Sequence, residues 1–229
     1  MDANTAFTLT KLTTAFAAVG ALGTAAFGLV DTFKALPGGG ISHAGFKFIR
    51  QIIFRLAPVV PSLENTGLSR ESLLDTLHAQ WINGTGTTDQ VNIAKSLIKL
   101  RLTPATAAAL ATATGVDADI LSQVATNIQS GNPLTTPQSD IYGRFDLLLT
   151  TLLDQAYQRA DQRYRNVSKF AAVPVAVALA VVAAIVAPGQ ISISQAVLLG
   201  LIATPIAPVA KDVSSAIVTA SQAIQSWKS

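Results

Sequence analysis

The chain has no cysteine, only two histidines, and few charged or aromatic residues. Without cysteine there is no disulfide, no thiolate zinc site and no cysteine nucleophile, and the redox compartment stays open. Charged residues make up 13% of the chain, whereas an ordinary soluble domain has about 25%. The formal net charge of +3 is too small to indicate binding to nucleic acid. These absences exclude several classes of enzyme and leave a strongly apolar chain.

The longest uncharged stretch covers 170–210, which is 41 residues interrupted near the middle only by Pro188-Gly189. A membrane-spanning helix needs about 20 apolar residues, so this length with a central turn predicts two spans. Another 19 uncharged residues cover 12–30. A secretory signal is the alternative interpretation of that stretch, but the stretch is longer than a usual signal core. We therefore expect an integral membrane protein with three transmembrane helices.

The predicted fold class is all-α, because no run of alternating apolar and polar residues indicates a sheet. Residues 31–169 hold 13 of the 16 basic and 11 of the 13 acidic side chains, which predicts one helical cytoplasmic domain between apolar ends. In chain order the prediction is a short N-terminal segment (1–11), transmembrane helix 1 (12–30), the cytoplasmic helical domain (31–138), a long helix leading into the membrane (139–169), transmembrane helix 2 (170–188), a turn (189–193), transmembrane helix 3 (194–210) and an amphipathic C-terminal tail (211–229).

Basic residues flank the predicted spans, and such residues accumulate on the cytoplasmic side of membrane proteins. They follow the first span, precede the second and follow the third. The predicted topology therefore has the N-terminus outside and both the central domain and the C-terminus in the cytoplasm, in a bacterial inner membrane. The flanking residues are Lys34, Lys47, Arg50 and Arg55, then Arg159, Arg163, Arg165 and Lys169, then Lys211 and Lys228.

Residues 45–57 predict a basic amphipathic helix directly after the first span. Phe46, Ile49, Ile53 and Leu56 share one helical face, and such a helix suits the plane of the lipid headgroups. The alternative is an ordinary helix packed on the cytoplasmic domain. The predicted membrane-interface residues are Phe46, Lys47, Arg50, Arg55, Arg159, Arg163, Tyr164, Arg165 and Lys169.

Small side chains recur at four-residue spacing in all three predicted spans. This spacing lets helix backbones approach closely, which is how helices associate in lipid. It predicts a homo-oligomer, or a subunit of a larger membrane complex, with the lipid bilayer as a further partner. The predicted helix-packing residues are Gly20, Thr24 and Gly28, then Ala176, Ala180 and Ala184, then Gly200 and Thr204.

A patterned segment precedes the second predicted span: Asp154-x2-Tyr157-x-Arg159-x4-Tyr164-Arg165. It resembles the juxtamembrane segment of uncharacterised bacterial multi-span membrane proteins, in which an Asp, an Arg and a Tyr-Lys/Arg pair precede a terminal pair of transmembrane helices. The pattern has an aromatic residue where this chain has Arg163. The resemblance covers about 60 residues at the C-terminal end, and it implies no activity.

Candidates for catalysis and metal binding are few. His43 and His78 have no second ligand at the third or fourth position along a helix, so a metal site would need convergence in the fold. The three predicted spans hold no ionisable residue, which argues against a proton relay or a coupled transporter. We predict no catalytic residue, no metal and no cofactor. A predicted helix at 117–130 carries no Lys or Arg, which agrees with no nucleic-acid partner.

Two classes of function fit these patterns. The one we favour is a non-catalytic membrane scaffold or anchor subunit, whose helical domain binds partners within a larger assembly. The alternative is an oligomeric pore-forming or membrane-perturbing effector, because the apolar hairpin contains Ser192, Ser194, Gln195 and Thr204. Those hydroxyl and amide groups would line a water path in an oligomer.

Overall fold

The computed structural model describes residues 3–32, 40–64, 66–187 and 191–226, and all regular elements in these ranges are helices. The all-α prediction is confirmed for them. The chain divides into two compact units. We call Pro37–Tyr164 the polar unit, and Met1–Leu36 with Arg165–Ser229 the apolar unit. Residues 33–39, the last residue of the predicted second span (188) and the first two of the predicted turn (189 and 190) lie outside the described residues.

Six helices and the first part of a seventh build the polar unit around one apolar core. The core forms because each helix turns an apolar stripe inward, as with Phe145, Leu149 and Leu153, which lie on one face and are fully buried. The helices are α2 (His43–Leu56), α3 (Pro61–Glu64), α4 (Arg70–Ile82), α5 (Thr87–Leu100), α6 (Pro104–Thr114), α7 (Ala118–Ser130) and α8 (Thr136–Val186), with a 3₁₀ turn at Gly40–Ser42 before α2.

The ends of these helices follow local sequence signals. The Ser69 hydroxyl accepts a hydrogen bond of 3.1 Å from the backbone N–H of Ser72, and Asp117 accepts one of 2.8 Å from Ile120. These side chains satisfy backbone donors that a helix N-terminus leaves open. Gly115 ends α6 with a φ of 78°, a left-handed conformation that favours glycine. The short connections keep α6 and α7 in contact.

The amphipathic helix α2 packs on protein. Its apolar residues Phe46, Ile49, Ile53 and Leu56 all lie in the buried core of the polar unit. The burial of this face fits the alternative interpretation, an ordinary helix packed on the central domain, better than a helix lying among lipid headgroups. The reason is tertiary: the core of the polar unit covers the same stripe that a membrane surface would have covered.

A close crossing between α2 and α8 fixes this core. A Cβ added at Gly45 would lie 2.5 Å from the carbonyl oxygen of Ala160 and 2.7 Å from the Trp81 ring. Only glycine allows the two backbones to come so near. The Trp81 ring in turn meets Tyr164 edge to face, with 6.2 Å between ring centroids. Residues from α2, α4 and α8 thus meet at one point.

The apolar unit consists of α1 (Ala3–Thr32), the second part of α8 and α9 (Ile193–Ser226). Prolines lie inside two of these helices, Pro174 in α8 and both Pro205 and Pro208 in α9. Helices α1 and α9 pack along each other, and buried alanines of α8 and α9 form a small second core.

Two helices, not three, are long and apolar enough to cross a membrane among the residues that the structure describes. They are α1, through Thr14–Thr32, and α8. The apolar part of α9, Ile193–Val209, is shorter than the other two. The predicted third span thus lies within the helix α9.

Candidate functional site

The contacts of α9 with α1 and α8 depend on two glycines. A Cβ added at Gly23 would collide with the carbonyl of Ala203 and with the Ala207 side chain. One added at Gly200 would collide with the backbone of Val177. Backbones that touch in this way gain van der Waals contact, which is the main source of helix association in lipid. The apolar unit is therefore held by small-residue contacts within one chain.

Six of the eight predicted helix-packing residues are buried in these contacts. They are Gly20, Ala176, Ala180, Ala184, Gly200 and Thr204. The other two, Thr24 and Gly28, are exposed, and nothing lies within 4 Å of a Cβ added at Gly28. The Thr24 hydroxyl donates to the Gly20 carbonyl at 2.9 Å. Sequence reasoning missed Gly23, although Gly23, Ala26 and Val30 follow the helical spacing of a buried face.

A cavity of about 490 Å³ opens in the apolar unit between α1, α8 and α9. Helix α8 contributes Asn166, Lys169, Phe170 and Val173, and α1 contributes Phe27. Asn166, Lys169 and Val173 are spaced by three or four residues and so share one helical face. The cavity has a size common for ligand sites, mostly apolar walls and one cationic side chain.

Helix α9 lines the same cavity with Leu201, Thr204, Pro205 and Pro208. Proline has no backbone N–H, so Pro205 and Pro208 leave the carbonyls of Leu201 and Thr204, four residues earlier, without their helical donors. Both of those residues line the cavity. This wall therefore combines apolar side chains with two residues, Leu201 and Thr204, whose carbonyls lack the usual donor four residues later in the helix.

The polar residues that precede α9 form its N-terminal cap. The Ser192 N–H donates to the Gln195 side-chain oxygen at 2.9 Å, and the Gln195 N–H donates to the Ser192 hydroxyl at 3.3 Å. This reciprocal pair is a capping box. The Ser194 hydroxyl lies 3.0 Å from that of Ser192. Contacts at this cap thus account for three of the four polar residues that had suggested a water path.

The two histidines, 35 positions apart in sequence, lie ring against ring in the polar unit. The ring centroids of His43 and His78 are 5.1 Å apart with an interplanar angle of 25°, and the Phe46 ring lies 4.6 Å from His78. Burial, and then the charge of His43, lower the pKa of His78 below its ordinary value, while Asp75 acts to raise it.

This histidine contact does not have the geometry of a metal site. Stacked rings direct their nitrogens along parallel planes, so two of them do not converge on one ion. Across the described part of the chain, no group of three His, Cys, Asp or Glu side chains is placed to hold a metal. The pair is better described as a packing contact that is sensitive to protonation.

Some of the predicted membrane-interface residues make contacts within the protein, and the others are exposed. Phe46 is buried, and the Arg55 guanidinium donates to the Ala113 carbonyl at 2.7 Å, so both are used within the protein. Tyr164 packs on Trp81. The remaining six side chains are exposed: Lys47, Arg50, Arg159, Arg163, Arg165 and Lys169.

A lysine pair on α5 binds one carboxylate on α8. Lys95 and Lys99 lie 3.5 Å and 2.9 Å from the Asp146 carboxylate oxygens. Burial acts to raise the pKa of Asp146, but the hydrogen bond and charge of Lys99, aided by Lys95, hold that pKa below its ordinary value. Lys99 also lies 4.8 Å above the Tyr142 ring. This cluster joins two helices.

Comparison with known proteins found no match for this chain. No family model matches it, and no match was found among curated proteins or solved structures.

Proposed function

We propose that the protein is a non-catalytic membrane scaffold or anchor subunit that holds a helical domain at a membrane within a larger assembly. The observation that carries this proposal is the use of the hairpin's polar side chains within the fold. Ser192 and Gln195 cap α9, and Thr204 is only 4% exposed. Because these side chains cap a helix or are buried, they do not support a water-filled path through the hairpin.

Three helices cross the membrane in this proposal. Ile193–Val209 has 17 residues, which at about 1.5 Å per residue gives about 26 Å, near the lower limit for a span. Exposed basic residues at the start of the apolar part of α8, including Arg163, Arg165 and Lys169, support a cytoplasmic polar unit. The N-terminus then lies outside a bacterial inner membrane, and the C-terminus lies in the cytoplasm.

Assembly with other subunits, or with further copies of the chain, uses the exposed face of α1. Thr24 and Gly28 are the predicted packing residues that the chain does not bury by itself. Their small side chains support a close approach by a helix from another subunit. Gly20 is buried within the chain, so a substitution there would disturb the fold as well as the assembly.

The test is the mass of the intact complex, purified by affinity from native membranes in mild detergent. Gly28→Leu should reduce that mass, because a large side chain at a helix contact holds the backbones apart. Ala15→Leu is the matched control, since Ala15 is also exposed on α1 and lies about 140° around the helix from Gly28. An unchanged mass for Gly28→Leu would show that this face contacts lipid only.

Ion flux through liposomes separates the scaffold from the pore. Vesicles that contain the folded, oligomeric protein should stay tight, because no charged ring or gate is among the groups assigned to the spans. Conductance that Ser194→Leu or Thr204→Leu abolishes would reverse the conclusion in favour of a pore.

A further inference from the structure

We propose that the cavity between α1, α8 and α9 binds the headgroup of one anionic phospholipid, with its phosphate at Lys169 and Asn166. The inference rests on the proposed membrane function and goes beyond it by assigning a ligand site. A scaffold needs no such cavity, so the cavity indicates a property beyond the scaffold role.

The side chains that line the cavity indicate the charge of its ligand. Lys169 supplies an ammonium group and Asn166 supplies amide donors, one helical turn apart on the wall of the same cavity. None of the described residues that line the cavity is acidic. A basic pocket between transmembrane helices on the cytoplasmic side is the kind of site that binds anionic lipid headgroups. The occupant is therefore expected to carry a negative charge.

The position of the cavity along α8 indicates its depth in the proposed membrane. Asn166 and Val173 are seven residues apart on α8, which corresponds to about 10 Å along the helix. Lys169 is the last charged residue before the uncharged stretch that begins at Phe170. The polar end of the cavity therefore lies at the level where headgroups give way to acyl chains. Phe27, Val173 and Leu201 supply apolar walls for the start of an acyl chain.

The prolines of α9 change the hydrogen bonding of the backbone next to the cavity. Pro205 and Pro208 free the carbonyls of Leu201 and Thr204, and both residues line the cavity. A carbonyl without a donor is costly in a membrane, and such backbone is tolerated there only where it is buried in protein or lines a water-filled cavity. A headgroup with hydroxyl donors can satisfy these acceptors. Phosphatidylglycerol combines a negative phosphate with such hydroxyls, whereas phosphatidylcholine has neither a net charge nor a donor.

Native mass spectrometry of the full-length protein in mild detergent tests the proposal. With phosphatidylglycerol added, one lipid should stay bound per chain, and phosphatidylcholine should bind markedly less. Lys169→Gln should weaken phosphatidylglycerol binding about fivefold, the effect expected for one basic side chain near an anionic lipid. Lys47→Gln is the control with the same loss of charge, because Lys47 is exposed on α2 in the polar unit. Equal weakening by both substitutions would overturn the proposal.

Two further variants test the site independently of the lysine. Val173→Trp should fill the cavity and abolish the bound lipid while α1 and α9 remain folded, as judged by circular dichroism. Pro208→Ala returns a donor to the Thr204 carbonyl and should reduce the preference for phosphatidylglycerol over phosphatidylcholine. Unchanged lipid binding in either variant, with its helical content intact, counts against the site.

Two further experiments distinguish a lipid site from a site for free phosphate, and test membrane insertion separately. Millimolar inorganic phosphate should not displace the lipid, because the apolar walls contribute to binding; displacement would show a phosphate site rather than a lipid site. Extraction of membranes at alkaline pH tests the membrane proposal by itself. Protein released by that treatment refutes membrane insertion, whereas retained protein that shows no lipid preference refutes only the headgroup site.

Discussion

At the scale of single residues, the polar unit uses its arginines as backbone donors. Arg101 is fully buried and donates to the carbonyls of Pro58 and Leu68. Arg70 donates to the Ala57 carbonyl at 2.7 Å. Ala57 and Pro58 directly follow α2, and Leu68 precedes the N-cap of α4, so these donors satisfy carbonyls in the connection between the two helices. Arginine reaches several acceptors at once because its guanidinium carries five donors.

Protonation of His78 should destabilise the polar unit in mild acid. The pKa of His78 is lowered in the folded protein, so the unfolded state binds its proton first, near its ordinary pKa of about 6.5. Stability from the neutral ring is complete above that pH and is lost as the pH falls below it. Calorimetry in detergent should show a lower unfolding temperature at about pH 5.5 than at about pH 7.5.

Two variants assign this pH dependence to the ring pair. His78→Phe should flatten the profile between these pH values, because a phenyl ring keeps the contact with Phe46 and does not titrate. His43→Gln should reduce the slope in part, since it removes one of the two causes that lower the pKa of His78. An unaltered profile in His78→Phe would show that other groups control the acid response.

At the scale of elements, glycine decides which helices come close. Gly45 and Gly143 belong to the same unit, yet a Cβ at Gly45 meets Ala160 and Trp81, whereas nothing lies within 4 Å of a Cβ at Gly143. Gly143 lies inside α8, and no close packing contact requires glycine at this position. The two positions therefore form a matched pair for the same substitution.

Gly45→Ala should cost about 1–3 kcal/mol of unfolding free energy, because the added methyl group forces α2 away from α8. Gly143→Ala should instead gain about 0.5–1 kcal/mol, since alanine lowers the entropy cost of an exposed helical position. Denaturant unfolding of both variants gives the comparison. Similar values for the two would show that the crossing at Gly45 tolerates a wider spacing.

The sequence predicts elements better than it predicts contacts between them. Helix ends at Ser69 and Gly115 follow local signals, and so they could be read from the sequence. The stacking of His43 on His78 brings together positions 35 residues apart, which no periodic pattern encodes. The choice of Gly23 over Gly28 depends on where α9 lies. Local rules describe both glycines equally well, so only the fold distinguishes them.

At the scale of the whole molecule, apolar and polar segments alternate along the chain and sort into two units. The core of the polar unit takes up the stripe of α2 that had suggested a second membrane contact. This assignment removes Phe46 from the membrane-facing residues and leaves the basic side chains near the start of the apolar part of α8. In the proposed topology, orientation across the membrane then depends on that cluster.

Reporter fusions test the orientation. Fusions at Gln129 and after Ser229 should report cytoplasm, and a fusion at Gly189 should report the outside, because exposed basic residues such as Arg163 and Lys169 resist transfer across the membrane. Replacing Arg163, Arg165 and Lys169 with Gln should weaken this preference, and Arg144→Gln, at an exposed position of α8 in the polar unit, serves as the control. An outside signal at Gln129 contradicts the topology.

The meeting of Trp81 with Gly45 and Tyr164 gives the molecule an optical label of its own. The chain has only two tryptophans, Trp81 and Trp227, so Trp227→Phe leaves a single indole emitter at the crossing of α2, α4 and α8. Its emission wavelength should shift to the red when that crossing opens. Because the chain has no cysteine, one engineered thiol can carry a matching acceptor dye, and energy transfer then measures the crossing in intact vesicles.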